Sequence, residues 1–186
     1  VAVQQAKVTV TNVDTNTAVA SATNEIGYYE VNLLLPGTYQ VSAAVSGLTG
    51  SPVVFNATGV AGAASIIAAN SVVTQSATAG TAVGAPPSVK VTDAVGNAVS
   101  GVVVTFAVTA GGGTISSASA TTNAGGIATL ASWTLGALVG TNTVTATATG
   151  LTGSPVLFNA TGTVGAAAII VANSALSQSG TASSAV

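Results

Sequence analysis

Apolar and polar residues alternate along much of this chain with a period of two. Lys7-Val-Thr-Val-Thr11, Val89-Lys-Val-Thr92 and Val144-Thr-Ala-Thr-Ala-Thr149 show the pattern most plainly. Such a period sends successive side chains to opposite faces of a pleated strand. Many of these residues are β-branched, which suits a half-buried sheet surface. Turn-forming clusters separate the runs: Asp14-Thr-Asn16, Leu35-Pro36-Gly37, Asp93-Ala-Val-Gly96-Asn97, Gly111-Gly112-Gly113 and Asn123-Ala-Gly-Gly126. Short strands with this punctuation predict antiparallel β-sandwiches. The Ala-rich stretch 61–70 is the one helix candidate, but Ile66-Ile67 beside Gly62 and Ser65 favours a strand. Pro86-Pro87 forbids helix and predicts a point where the opening strand breaks or changes sheet.

The chain also repeats itself. Gly47-Leu-Thr-Gly-Ser-Pro-Val-Val-Phe-Asn-Ala-Thr-Gly59 returns as Gly150-Leu-Thr-Gly-Ser-Pro-Val-Leu-Phe-Asn-Ala-Thr-Gly162, and 63–83 returns as 166–186. Roughly 26 of 37 paired positions are identical at an offset of about 103 residues, the length of one sandwich domain. Gly37-Thr38-Tyr39-Gln40-Val41 parallels Gly140-Thr141-Asn142-Thr143-Val144 more weakly. The sequence therefore predicts an all-β protein of two tandem immunoglobulin-like antiparallel sandwiches plus a C-terminal extended strand. The divisions are 1–60, an incomplete first unit; 61–163, a full second unit; and 164–186, the opening of a third. Alternation and the repeat place Phe106, Trp133, Phe158, Val104 and Val144 in one core, and Phe55, Val41, Val10 and Leu33 in another.

Composition removes most chemistry. Charged residues are 3% of the chain, against about 25% in an ordinary soluble domain. Two lysines cannot form a nucleic-acid-binding stripe. With no His and no Cys there is no thiolate nucleophile, zinc cluster or His-based triad. Four scattered carboxylates do not build a calcium cage. No cofactor is expected. Mean hydropathy is high at +0.71, yet each apolar run stops at Thr, Gly or Pro well short of the about 20 residues a spanning helix needs. Seven aromatics are too few for the girdles of an outer-membrane barrel. No membrane-spanning segment is expected.

Several motifs in order carry a family resemblance. Pro87-Ser-Val-Lys-Val-Thr-Asp93, Gly96-Asn97-Ala-Val-Ser-Gly101-Val-Val-Val-Thr-Phe106, Gly111-Gly-Gly113, Thr122-Asn123-Ala-Gly-Gly126-Ile127-Ala128, Trp133-Thr-Leu-Gly136 and Gly140–Gly150 together resemble a bacterial immunoglobulin-like domain of the invasin and intimin type. Residues 6–48 resemble instead a carboxypeptidase-regulatory-like β-sandwich, through Val8-Thr-Val-Thr-Asn12-Val-Asp14, Thr23-Asn-Glu-Ile-Gly27-Tyr28-Tyr29 and Leu35-Pro36-Gly37-Thr38-Tyr39. Both resemblances imply non-catalytic modules, not enzymes, of secreted or bacterial cell-surface proteins.

Individual candidates read mostly as structure. Trp133 suits a sandwich core better than a lone sugar-stacking platform. Asn56-Ala-Thr58 and Asn159-Ala-Thr161 are glycosylation sequons at the ends of repeated strands. Lys7 and Lys90 alternate with apolar neighbours and point outward, which argues against Lys–Asn crosslinks with Asn56 or Asn159. Asp93-Ala-Val-Gly96-Asn97 reads as a hairpin turn. The near absence of edge lysines is the anomaly, because such charges normally discourage strand pairing between molecules. It suggests a chain that packs against copies of itself or is coated by glycans.

The expected role is a structural rod or filament outside a bacterial cell. The alternative is an adhesin segment that binds a host surface protein or glycan, and a third class is an accessory module of a secreted hydrolase. The tail 166–186 repeats the opening strand of unit two, whereas unit one reaches Lys7–Thr11 without such a strand. The tail is thus either a strand donated to another copy or the start of a further covalent repeat. Ile169, Ile170, Val171 and Leu176 are its candidate contact residues.

Overall fold

The computed structural model describes residues 3–32, 34–171, 173 and 177. Among them there is no helix, and every element is a strand: β1 Lys7–Asn12, β2 Ala18–Ala22, β3 Gly37–Ala44, β4 Val53–Gly59, β5 Ile66–Ala69, β6 Thr74–Thr78, β7 Ser88–Thr92, β8 Val103–Ala110, β9 Thr114–Ile115, β10 Ser119–Thr121, β11 Ile127–Thr129, β12 Trp133–Thr134, β13 Gly140–Thr147 and β14 Val156–Thr163.

Unit two is a sandwich. A five-stranded sheet, ordered β10-β8-β13-β14-β6, faces a three-stranded sheet, β11-β7-β5. The inward residues of both sheets form one core, with Val104, Phe106, Val144, Ala146 and Phe158 on one side and Ile67, Val89, Val91 and Ala128 on the other. Trp133 fills the centre with its indole N–H unpartnered. The predicted core of this unit is therefore present. The expected strand at Ile66-Ile67 also forms, as β5.

Between β5 and β7 the chain changes sheet twice rather than once. The expected break at Pro86-Pro87 lies between β6 and β7, which belong to different sheets. An earlier crossing separates β5 from β6 and is pinned by Asn70 and Ser71. Asn70 Nδ2 donates to Ser88 Oγ at 3.0 Å, and Ser88 N donates to Ser71 Oγ at 2.9 Å.

In unit one the described strands form one sheet, β2-β1-β3-β4. The repeat is visible in its register. Val41 pairs with Phe55 as Val144 pairs with Phe158, and Gly37 with Gly59 as Gly140 with Gly162. Val8, Val10, Tyr39 and Val41 are buried beneath Tyr29 and Val31. Phe55 departs from expectation. It is 44% exposed, whereas Phe158 is fully buried. The alternation puts Phe55 on the expected strand and in the expected register, but β4 is an edge strand here. Its counterpart β14 is covered by β6 on its flank and lies opposite β5 and β7. Leu33, the remaining residue of that predicted core, lies outside the described residues.

Candidate binding groove and exposed C-terminal segment

The repeated turn Leu-Thr-Gly-Ser lies at a site where the described residues of the two units differ in occupancy. Leu48-Thr-Gly-Ser51 and Leu151-Thr-Gly-Ser154 adopt the same turn. Val45 N donates to Ser51 Oγ at 2.9 Å, and Ala148 N to Ser154 Oγ at 3.1 Å. Ser51 N reaches Leu48 O at 3.3 Å, and Ser154 N reaches Leu151 O at 3.2 Å. Gly50 and Gly153 share φ values of +85° and +89°, a region that glycine enters without strain.

In unit two this turn receives β5. Ile67 N donates to Thr152 O at 2.9 Å, and Thr152 N donates to Ser65 O at 2.9 Å. The strand runs so close that a Cβ at Gly153 would collide with the Ile67 carbonyl oxygen. The Ile67 side chain is 2% exposed and belongs to the unit-two core, which also contains Ala146 and Ala148 and has Leu151 and Val156 packed against it.

In unit one no described strand occupies the equivalent place. Nothing lies within 4 Å of a Cβ built at Gly50. An open apolar groove of about 230 Å³ remains, lined by Ala43, Val45, Leu48, Gly50 and Val53 among others. Four of these are the repeat counterparts of Ala146, Ala148, Leu151 and Val156, which belong to or pack against the core that holds Ile67.

The candidate contact residues are partly described. Ile169, Ile170 and Val171 form no strand, unlike the expected C-terminal extended strand, and have no ladder partner among the described residues; Ile170 is 97% exposed. Leu176 lies outside the described residues. Sequence reasoning named this segment as a candidate contact but did not name the groove, because an open groove leaves no signal in one unit read alone. The signal was available in the repeat, in the retention of Leu-Thr-Gly-Ser in both copies.

The remaining candidates resolve simply. Trp133 is fully buried and is no sugar platform. Lys7 and Lys90 are exposed, as are Asn56 and Asn159. Tyr39 is the core tyrosine of unit one, and its hydroxyl donates to Leu35 O at 2.6 Å. Asp93 closes a hairpin turn, with Gly96 N on its carbonyl at 3.2 Å and its own N on Asn97 O at 2.9 Å. Its carboxylate is buried, which pushes its pKa up. Bonds from Asn97 Nδ2 and from the N–H groups of Gly62, Asn97 and Val95 outweigh burial and hold the pKa at about 2. Among the described residues no three of His, Cys, Asp and Glu are grouped as metal ligands, and no helix is long and apolar enough to cross a membrane.

No protein-family model and no curated protein matches the sequence. Solved structures do. The D0-D1 domain of intimin aligns over 86% of this chain and 80% of its own, at 26% identity and a TM-score of 0.36. Invasin, titled a bacterial integrin-binding protein, aligns over 88% of this chain but 33% of its own, at 17% identity and a TM-score of 0.43. Domains 4–9 of the surface layer protein SbsC align over 85% of this chain and 22% of theirs, at 20% identity and a TM-score of 0.41. Independently of these likenesses, the strand pairing and core of this chain make unit two an antiparallel β-sandwich.

Proposed function

We propose that this chain is a non-catalytic structural segment of a protein displayed outside a bacterial cell, where its sandwiches build a rod or filament. One observation carries the reading. Ile67 is 2% exposed in its slot in unit two, its repeat counterpart Ile170 is exposed, and the counterpart slot in unit one stands open. A site and a segment that fit one another within a repeat favour association of copies through strand complementation. A heterologous contact of this kind does not close on itself and propagates. Sparse charge on the exposed strands supports the same reading, since little opposes edge-to-edge approach.

The test is sedimentation velocity over a concentration series, with electron microscopy of the same samples. The full chain is expected to give growing species, and a chain lacking 166–186 to stay monomeric. A monomeric full chain at every concentration, or undiminished assembly of the shortened chain, overturns the reading.

A second reading is an adhesin segment that grips a host protein or glycan. It is favoured by the exposed apolar residues Ile26, Tyr28, Leu34 and Leu35 on the loops of unit one. Substituting Tyr28 and Leu35 together with Ser would abolish binding to a glycan array or host-cell surface under this reading, and would leave assembly untouched.

A further inference from the structure

We propose that the groove beside Leu48–Ser51 in unit one is an acceptor for the segment 168–171 of a second copy, entered in the register that β5 takes in unit two. The proposal rests on the self-association reading above and names the contact that would mediate it. Its template is internal to the molecule. Ser65, Ile66 and Ile67 map onto Ala168, Ile169 and Ile170, and Thr152 maps onto Thr49. Transferring the observed bonds places Ile170 N–H on the Thr49 carbonyl and Thr49 N–H on the Ala168 carbonyl. Among the described residues Thr49 makes no hydrogen bond, so both groups are open to a partner. The Ile170 side chain then enters the space bounded by Ala43, Val45, Leu48 and Val53, whose counterparts Ala146, Ala148, Leu151 and Val156 belong to or pack against the core that holds Ile67. Gly50 keeps the backbone path clear, since the incoming strand passes where a side chain would stand. Unit one has no described counterpart of β7, the strand that pairs β5 antiparallel in unit two. The docked segment is therefore held by two backbone bonds and one buried isoleucine. That is a weak contact in isolation, so covalent trapping is the suitable readout.

The chain has no cysteine, which makes such trapping free of background. Ile66 and Thr152 form a parallel bridge in unit two, so their counterparts Ile169 and Thr49 define the pair to link. Both counterparts are exposed and can be substituted without disturbing a core. Full-length Thr49→Cys and Ile169→Cys chains are mixed under mild oxidation and run on a non-reducing gel. A chain carrying both Ile66→Cys and Thr152→Cys serves as the intrachain control. The mixed disulfide is expected to form at least about tenfold faster than either self-disulfide, because docking raises the effective thiol concentration towards the mM range. Adding Ile170→Asp to the Ile169→Cys chain is expected to erase that excess. No excess over the self-disulfides overturns the proposal. So does an excess that survives Ile170→Asp. So does a chain bearing both Thr49→Cys and Ile169→Cys that closes only on itself, because the occupant is then its own tail. If trapping fails while the full chain still sediments as growing species, this contact is wrong and the self-association reading stands. If the chain is also monomeric throughout, both fall.

Discussion

Phe55 and Phe158 occupy the same place in the same ladder, and only Phe158 is covered. The difference sets their energetic worth. Phe158→Ala is expected to cost about 3–5 kcal/mol, the range for emptying a fully packed aromatic site. Phe55→Ala is expected to cost about 1 kcal/mol or less, as at other positions largely open to water. Trp133, the single tryptophan, sits in the core of unit two and reports that unit's unfolding by fluorescence. The denaturation midpoint read by Trp133 emission should shift for Phe158→Ala, and circular dichroism, which also reports the sheet of unit one, should show that unit's transition unmoved by Phe55→Ala. Equal shifts would mean that Phe55 is packed as its sister is.

Two turn glycines separate backbone strain from collision. Gly96 has φ +95°, with nothing within 4 Å of a Cβ placed on it. Gly126 has φ +73°, and its Cβ would stand 2.5 Å from the Val91 carbonyl oxygen. Val is strained at either torsion, so Gly96→Val should cost about 1–3 kcal/mol. Gly126→Val adds displacement of the β7 backbone, and should exceed Gly96→Val by at least about 1 kcal/mol. Thermal unfolding of the two variants gives the ranking. A reversed order would remove the close approach at Gly126.

Much of this architecture was legible in the sequence because alternation and turn chemistry are local. The period of two placed Val104, Phe106, Val144 and Phe158 on one face, and turn residues marked the turns that hold Gly96 and Gly126. What was not legible depended on which strands lie alongside. Phe55 carries the same local signal as Phe158, and nothing within β4 tells that its neighbouring layer differs. The crossing at Asn70-Ser71 was missed for a related reason. It is set by hydrogen bonds to Ser88, a residue distant in sequence, and no Pro or Gly advertises it. The groove needed both kinds of information, a repeated motif and the knowledge that one copy is filled.

Asp93 ties the connector residue Gly62 to the first hairpin of unit two through a 2.9 Å bond. Its pKa in the folded chain is about 2, lowered from an ordinary 3.8. A lowered folded pKa means that the ionised carboxylate favours the folded state. That contribution is complete above about pH 4 and is lost as the pH falls towards 2. Wild-type stability should therefore decline over this window. Asp93→Asn, which cannot ionise, should be less stable at pH 7 and should lack that step. Denaturation midpoints from pH 2 to 7 check both statements, and parallel profiles for the two proteins would remove Asp93 from the account.

Asn142 is the polar counterpart of a different solution in unit one. It stands where the repeat has Tyr39, and both residues are buried. Each satisfies a backbone group in the loop before its strand. Tyr39 donates to the Leu35 carbonyl, whereas Asn142 Oδ1 accepts from Gly136 N at 2.9 Å and its Nδ2 donates to Gly140 O at 3.2 Å. The two substitutions should therefore differ in consequence. Removing the hydroxyl in Tyr39→Phe leaves the Leu35 carbonyl in a part-buried position, where water can replace the lost donor. Its cost should be about 0.5–1.5 kcal/mol, the net worth of one such bond. Asn142→Leu keeps the volume but leaves the Gly136 N–H buried without an acceptor. An orphaned buried donor costs about 1–3 kcal/mol by itself, and loss of the Nδ2 bond adds to it. Asn142→Leu should then be the more damaging of the two in denaturant unfolding, even though it makes the core more apolar. If Asn142→Leu proves neutral or stabilising, water reaches Gly136 N and the loop is more open than its hydrogen bonds indicate.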